Sequence, residues 1–215
     1  MHKSTFEVLK NFSSINAGIL IRKGNEVRTV SVEKNILAVA KVPDTFTQEF
    51  AIYNLNEFLS TIRLFDKPNV AYNSDHVLLS DKDSRVKYRY SNPSVVVAAP
   101  EKDLTIDDPI IEFDLSIEYL ERLTKAAAVM QFSTLEISSG GLRAFNNKAG
   151  AGNEFRSTPT NIKSQPGAQN YNIAINLLKV IPANYHVKVT DRFVQLQGTV
   201  DGVSLSYAIA VDTGE

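Results

Sequence analysis

The chain has 215 residues, a formal net charge of −1, 43% hydrophobic residues and no cysteine. Its length suits one large domain or two ordinary ones, and its apolar content is enough to fill packed cores. The balanced charge excludes a generally basic nucleic-acid coat, and the lack of cysteine excludes disulfides, thiolate metal sites and a cysteine nucleophile.

The first 65 residues predict a helix, three strands and a second helix. Ser4-x-x-Glu7 is a capping-box pattern, so we expect the first helix to open there and to run to about Ser14. Gly24-Asn25 predicts a hairpin turn between AGILIRK and EVRTVSVE, and ILAVAKV is expected to form the third strand. That strand is expected to close at Pro43-Asp44, and Asn54 is expected to cap the second helix, NLNEFLSTIRLF.

Three more strands, NVAYN, HVLLSD and RVKYRYS, are expected before the pattern changes at Ser94. SVVVAA reads as a strand, and a charged segment bounded by proline follows it, which predicts a domain boundary. We therefore expect an N-terminal domain of residues 1–100, a connector of residues 101–109 and a C-terminal domain of residues 110–215.

The C-terminal domain is expected to repeat the order of elements of the first. IIEFD is a strand that enters a helix ending near Met130, and strands flank a turn at Gly140-Gly141. EFRSTPTNI is expected to be one edge strand because proline is tolerated at sheet edges. NLLKVI is expected to be a fourth, short helix stopped by Pro182, and Asp201-Gly202 predicts another hairpin turn.

An apolar pair followed three residues later by another apolar residue occurs once in each expected helix. The copies are centred on Leu9, Leu59, Leu120 and Leu178, at intervals of 50, 61 and 58 residues. This spacing predicts one buried stripe per helix, and three of the copies follow directly on an extended segment. The chain therefore predicts a strand-and-helix unit that is used four times.

No pattern in the sequence predicts catalysis or a cofactor. His2, His76 and His186 lie in unrelated segments and match no zinc-binding spacing. Asp81-x-Asp83 is more typical of a solvated turn than of a metal site, and the paired glycines match no phosphate-binding motif. We therefore expect a non-enzyme without metal or cofactor. No apolar run is long enough for a membrane span, so no membrane partner is expected either.

The segments STFEVLKNFSSINAGILI and FAIYNLNEFLSTI, together with the two-domain length, resemble the DNA sliding clamps of T-even-type bacteriophages. The layout is also similar to proliferating cell nuclear antigen. The resemblance implies the α+β DNA-clamp fold, with two similar domains of two helices packed on antiparallel sheets. It further implies a homotrimeric, six-domain ring that encircles duplex DNA and tethers a replicative polymerase in the cytoplasm of an infected bacterium.

The resemblance implies DNA contacts from basic residues on the helices, without sequence preference. The matching residues are Lys3, Lys10, Arg63, Arg122, Lys125 and Lys179. The order of charge in Glu118 with Arg122 and in Glu121 with Lys125 is also what helix stability alone favours. On sequence grounds, Arg122 and Lys125 can therefore be either DNA contacts or partners in helix-stabilising ion pairs.

Other partners follow from the same resemblance. A polymerase tail peptide is expected in an apolar pocket beside the connector, and a clamp-loader ATPase is expected to open the ring. The expected pocket residues are Ile36, Ala38, Val97, Pro100, Tyr207 and Ile209, and ordinary core positions explain them nearly as well. Some relatives also contact the late-transcription machinery, and the sequence does not decide this point. The alternatives are a hydrolase on a two-sheet scaffold and a β-rich virion or assembly scaffold.

Overall fold

The computed structural model describes residues 1–146 and 152–212. By internal contacts, the chain divides into two units, Met1–Glu101 with Asp201–Ser204 and Lys102–Val200 with Leu205–Glu215. Each unit combines helix with antiparallel sheet, as the sequence predicts. None of the helices in the described residues has the length and apolar character needed to span a bilayer.

The first unit contains two helices and seven strands that pair in three groups. The helices are α1 (Lys3–Ile15) and α2 (Leu55–Ile62). The strands are β1 (Ile19–Ile21), β2 (Gly24–Val30), β3 (Ile36–Phe46), β4 (Phe50–Ile52), β5 (Asn69–Tyr72), β6 (His76–Ser80) and β7 (Arg85–Arg89). β1 pairs with β4, β2 pairs with β3, and β5, β6 and β7 form a three-stranded antiparallel sheet. The three strands predicted between the second helix and Ser94 are thus confirmed.

The two helices of this unit are capped by different means. Asn54 caps α2 as predicted, because its side-chain oxygen accepts a hydrogen bond from the Glu57 backbone N–H at 3.1 Å. The capping box predicted for α1 is wrong. His2 is the N-cap, its Nδ1 accepts from the Ser4 backbone N–H at 3.2 Å, and Ser4 already lies inside the helix.

The hairpin predicted at Gly24-Asn25 is also wrong, because β1 pairs with β4 and not with β2. Ile19 lies opposite Ile52 and Ile21 lies opposite Phe50, and all four side chains are buried. Pairing two short buried segments removes more apolar surface from water than a solvent-exposed hairpin would.

β3 does not close at Pro43-Asp44 but continues to Phe46. Its register against β2 shifts between Gly24, opposite Phe46, and Glu26, opposite Lys41. Pro43 lies in the part of β3 that this irregularity skips, where a residue without an N–H does not interrupt the hydrogen-bond ladder. The strand predicted at SVVVAA is likewise wrong: a 3-10 turn, Pro93–Val95, stands there.

Over residues 102–146 and 152–212, the structure contains one helix and nine strands in two sheets. The helix is α3 (Ile117–Met130), capped by the Ser116 hydroxyl. The strands are β8 (Ile111–Leu115), β9 (Thr134–Ser138), β10 (Gly141–Phe145), β11 (Glu154–Ser157), β12 (Thr160–Ser164), β13 (Tyr171–Ala174), β14 (Tyr185–Val189), β15 (Phe193–Val200) and β16 (Val203–Ala210). One sheet has the order β11-β10-β9-β13, and the other contains the order β12-β8-β14-β15-β16.

The hairpin turn predicted at Asp201-Gly202 is confirmed. Asp201 and Gly202 connect β15 to β16 with φ of 49° and 77°, as a two-residue hairpin turn of this kind requires. EFRSTPTNI, however, is two strands and not one. Pro159 separates β11 from β12, and the two strands lie at the edges of different sheets. Residues 147–151 of the loose segment before them lie outside the described residues.

The fourth helix predicted at NLLKVI is wrong. Only a 3-10 turn, Ile175–Leu177, forms there, and its N-cap Ala174 offers no side-chain hydrogen bond. Only a few residues lie between β13 and Pro182. A helix that short gains too few hydrogen bonds to offset the unfavourable free energy of nucleation when no side chain caps it. Leu177 and Leu178 are accordingly only half-buried, whereas the corresponding apolar pairs of α1 and α2 are buried. The described residues therefore contain three α-helices and not the four that the repeated spacing predicts.

Candidate nucleic-acid interface and connector

The outward side of α1 carries two of the basic residues that the resemblance implies. Lys3, Glu7, Lys10 and Ser14 are exposed and recur at helical spacing, so they share one side of the helix. The opposite side is buried and consists of Thr5, Val8, Leu9, Phe12 and Ile15. Lys10 Nζ lies 3.9 Å from a Glu7 carboxylate oxygen, which offsets part of its charge.

Arg63 is placed by a contact between the two helices of the first unit. It is the C-cap of α2, and its guanidinium lies 4.9 Å from the centre of the Phe6 ring on α1. A hydrogen bond of 2.8 Å from Ser13 Oγ to Asn56 Oδ1 joins the same helices. Lys3, Lys10 and Arg63 therefore all lie on the exposed surface of the α1 and α2 pair.

In the second unit, α3 presents bases and acids in equal number on its exposed side. Arg122 lies over the Tyr119 ring at 5.4 Å, and Lys125 Nζ lies 3.7 Å from Glu121. A hydrogen bond from the Ser116 hydroxyl holds the pKa of Glu118 below its ordinary value, so this carboxylate stays charged. The exposed side of α3 is consequently near neutral and would attract a phosphate backbone only weakly.

Lys179 does not lie on a helix. It is exposed just after the 3-10 turn, and its backbone N–H donates to the Leu177 carbonyl at 2.7 Å. Of the six predicted DNA-facing residues, three therefore lie on the α1 and α2 pair and two lie on α3. Lys179 lies on no helix, because the fourth helix predicted at NLLKVI does not form.

The predicted peptide-pocket residues fall into two groups. Ile36, Ala38, Tyr207 and Ile209 are buried in the core, with at most 1% exposure, so their side chains offer no surface to a ligand. Tyr207 also accepts a hydrogen bond of 3.3 Å from the Ile181 backbone N–H, and burial raises the pKa of its phenol. Val97 is half-buried and Pro100 is exposed. Only these two present accessible surface, because the other four serve packing in the described chain.

Comparison with known proteins agrees with this arrangement of helices and sheets. Residues 2–98 match the family described as DNA polymerase processivity factor. A sliding clamp of Vibrio phage KVP40 is 38% identical over 138 residues, which span 63% of this chain and 62% of that protein. A sliding clamp of Escherichia phage RB69 is 26% identical across 99% of this chain and 96% of that protein.

Similarity to a sliding clamp thus extends over the full length. Sliding clamps of T4-like phages are therefore the proteins that this chain is similar to from end to end. Solved structures show the same fold. PCNA from Thermococcus kodakaraensis has a TM-score of 0.69 at 13% identity, with 98% of this chain and 96% of that one covered. A. fulgidus PCNA, solved with the C-terminal region of FEN-1 bound, has a TM-score of 0.70 at 12% identity, with 98% and 95% covered.

In this chain, polar side chains hold the segment around the predicted connector at two places. Arg22 Nη2 donates to the Ala99 carbonyl, and Arg28 Nη1 donates to the Pro100 carbonyl, both at 3.3 Å. Further on, Gln195 Nε2 donates to the Leu104 carbonyl at 2.8 Å. Lys188 Nζ donates to the Ile106 carbonyl at 3.0 Å. The main chain from Ala99 to Ile106 is therefore held by its carbonyl groups.

Sequence reasoning missed these anchoring residues. Arg28 and Gln195 are 8% and 3% exposed, although both are polar residues of a kind that usually faces solvent. The pattern around Gln195 gave no signal, because a polar residue between Val194 and Leu196 is the alternation of a strand with one exposed face. A buried polar side chain needs a hydrogen-bond partner, and the Leu104 carbonyl is that partner.

A network of charges crosses three strands of the second unit. Lys163 Nζ on β12 lies 2.8 Å from Glu112 on β8, and His186 Nδ1 on β14 lies 2.8 Å from Asp114 on β8. The hydrogen bond from Lys163 lowers the pKa of Glu112. A hydrogen bond from Asn161, followed by one with His186, lowers the pKa of Asp114. These contacts fasten the edge strand β12 to its sheet.

Proposed function

We propose that three copies of this sliding clamp close into a ring around duplex DNA and hold a replicative polymerase at the primer end. The observation that carries the proposal is the pair α1 and α2, whose apolar stripes are buried while Lys3, Lys10 and Arg63 are exposed together. Such a surface attracts phosphate without reading base sequence. The clamp itself would perform no chemistry.

A ring that slides must attract duplex DNA only weakly, and the nearly balanced charges of the helices favour such weak attraction. The exposed side of α1 carries two lysines against Glu7, and α3 balances Arg122 and Lys125 with two glutamates. We include Lys179 in the DNA-facing set as an exposed base on a turn. The few unneutralised charges would hold the duplex loosely enough for the ring to move along it.

Ring closure would use strand edges that the described residues leave unpaired. β7 is one edge of the three-stranded sheet, and β11 and β12 are edges of the two sheets in the second unit. Head-to-tail pairing of β7 with an edge strand of the next copy would remove both exposed edges. A separate ATPase would open the ring in the cytoplasm of the infected host.

A partner tail peptide would bind beside the connector, against the accessible surfaces of Val97 and Pro100. One structural neighbour was solved with a C-terminal region of another protein bound, which supports peptide recognition in this fold. Ile36, Ala38, Tyr207 and Ile209 would support such a site from the core, and a movement of the core would be needed before they touched the peptide.

A primer-extension assay tests the proposal. With polymerase, loader and ATP present, the clamp should lengthen the products of single binding events, and without the loader it should have no effect. A virion or assembly scaffold would leave product length unchanged in both reactions. That result, obtained with a verified trimer, would refute the proposal.

The salt dependence of DNA retention tests the proposed surface. If Lys10 binds one phosphate, Lys10→Gln should reduce the slope of log affinity against log salt by about 0.9. Lys82→Gln, which replaces an exposed lysine in the turn between β6 and β7, is the matched control and should leave the slope unchanged. Equal slopes for both variants would remove Lys10 from the DNA-facing set.

A further inference from the structure

A pocket of about 310 Å³ lies where the start of α1 meets the end of α2. Its apolar lining comes from Met1, Phe6, Ile62, Phe65 and Pro68, and its charged lining comes from Lys3, Asp66 and Lys67. Ile62 and Phe65 are each 7% exposed, so the apolar floor is fixed by the core. The pocket shares no residue with Val97 and Pro100, where the tail peptide is proposed to bind.

The positive charges around this pocket are not neutralised within the described residues. Lys10 and Lys125 each lie within 4 Å of a glutamate, but Lys3, Arg63 and Lys67 form no ion pair with any residue in 1–146 or 152–212. Arg63 belongs to the site because its guanidinium lies 4.9 Å from the centre of the Phe6 ring, and Phe6 lines the pocket. Three cations therefore surround an apolar pocket that contributes one acid, Asp66.

We propose that this pocket binds a large apolar side chain presented by an acidic peptide segment of a partner protein. The apolar floor matches a leucine or phenylalanine side chain, and the surrounding cations match carboxylates that flank it. Duplex DNA is a poorer occupant, because its outer surface offers phosphates and no apolar group that would fill the cavity. Asp66 on the lining would also repel a phosphate.

This site goes beyond the proposed function. Lys3 and Arg63 belong to both sites, whereas Lys67 and Asp66 follow α2 and are outside the six residues proposed to face DNA. Peptide binding there can accordingly be measured on the clamp alone, with neither DNA nor loader. The outcome is independent of whether the ring closes or slides.

The experiment uses fluorescence anisotropy of the full-length clamp with a labelled peptide, Asp-Glu-Asp-Leu-Phe-Asp-Glu. Lys67→Glu should weaken binding about three- to tenfold, because an exposed pair contributes roughly 0.2–1 kcal/mol and reversal replaces attraction by repulsion. Asp66→Asn should strengthen binding about twofold. Lys82→Glu, the same charge change in the distant turn after β6, should leave the affinity unchanged. All three positions are exposed, so the fold is not at stake.

A second peptide, with alanine in place of leucine and phenylalanine, isolates the apolar contact. Its affinity should be at least about tenfold lower, since a buried large side chain contributes roughly 1.5–3 kcal/mol. Equal affinity of the two peptides would overturn the proposal, and so would equal effects of Lys67→Glu and Lys82→Glu. Binding of a labelled oligo-dT that depends on Lys67, with no binding of the acidic peptide, would assign the pocket to single-stranded nucleic acid instead.

Discussion

Replacing Gln195 by leucine tests whether the connector is fastened by a buried hydrogen bond. The side chain is 3% exposed, and its Nε2 donates to the Leu104 carbonyl at 2.8 Å. Leucine has nearly the same volume, so the substitution removes the donor without opening a large cavity. It leaves the Leu104 carbonyl without its partner, which costs about 1–3 kcal/mol when the group is buried.

Leu104 itself is 39% exposed, so water can take over part of the hydrogen bonding to its carbonyl. We therefore expect the lower part of that range, a fall of about 1–1.5 kcal/mol in the free energy of unfolding. Urea denaturation followed by circular dichroism measures this change. Trypsin cleavage after Lys102, an exposed residue two positions before Leu104, should become faster in the native protein.

Gln197→Leu is the matched control, because it makes the same change two residues later on β15 at an exposed position. Its effect on unfolding should stay within about 0.5 kcal/mol, and cleavage after Lys102 should not change. If the two variants were equally stable and equally resistant to trypsin, the hydrogen bond from Gln195 would not fasten the connector.

Three other predictions concern local structure and pH. Asn54→Ala should lower the free energy of unfolding by about 1 kcal/mol in urea denaturation, because it removes the cap of α2; no change would mean that the cap contributes nothing. Gly141→Ala should lower the thermal midpoint strongly, at a cost above about 2 kcal/mol, since φ is +126° and a Cβ would lie 2.6 Å from the Ser157 carbonyl oxygen. Gly140→Ala, where a Cβ would meet only Ser138 Oγ at 3.7 Å, should be tolerated. The lowered pKa of Glu112 predicts stability that is complete above its ordinary pKa of 4.5 and is lost as the pH falls through the folded-state value. Lys163→Met should make that loss smaller in acid titrations of unfolding, and an unchanged acid limb would contradict the assignment of this ion pair.

The helices show how far local sequence information reaches. The same apolar spacing occurs four times, and it correctly predicts α1, α2 and α3. It fails at Leu178, where the segment has no capping side chain and ends at Pro182 after a few residues. Apolar spacing records which side of a helix would be buried, but whether a short helix forms depends on its ends and on what packs against it.

Strand pairing was less predictable than strand position. Most segments predicted as strands are strands, yet β1 pairs with β4 and not with its chain neighbour β2. Likewise, β11 and β12 are joined by two residues but belong to different sheets. Alternation along a strand specifies its two faces, and the partner is chosen by contacts between residues far apart in the chain.

The candidate site divides in the same way. The basic residues on the helices were visible in the sequence, because helical spacing identifies the side opposite the apolar stripe. Core positions for Ile36, Ala38, Tyr207 and Ile209 were one of the two interpretations that the sequence left open. The sequence did not predict the anchoring roles of Arg28 and Gln195, or the pocket lined by Phe6 and Phe65.

By itself, the sequence determined the α+β class, the positions of three helices and the resemblance to sliding clamps. These features depend on residue types at short, regular spacing, and short-range backbone geometry converts such spacing directly into structure. The tertiary structure alone decided which strands pair, which polar groups are buried, and which of the described cations have an acid beside them. Each of those outcomes depends on the distance between residues that are remote in the chain, and that distance is fixed only when the core is packed.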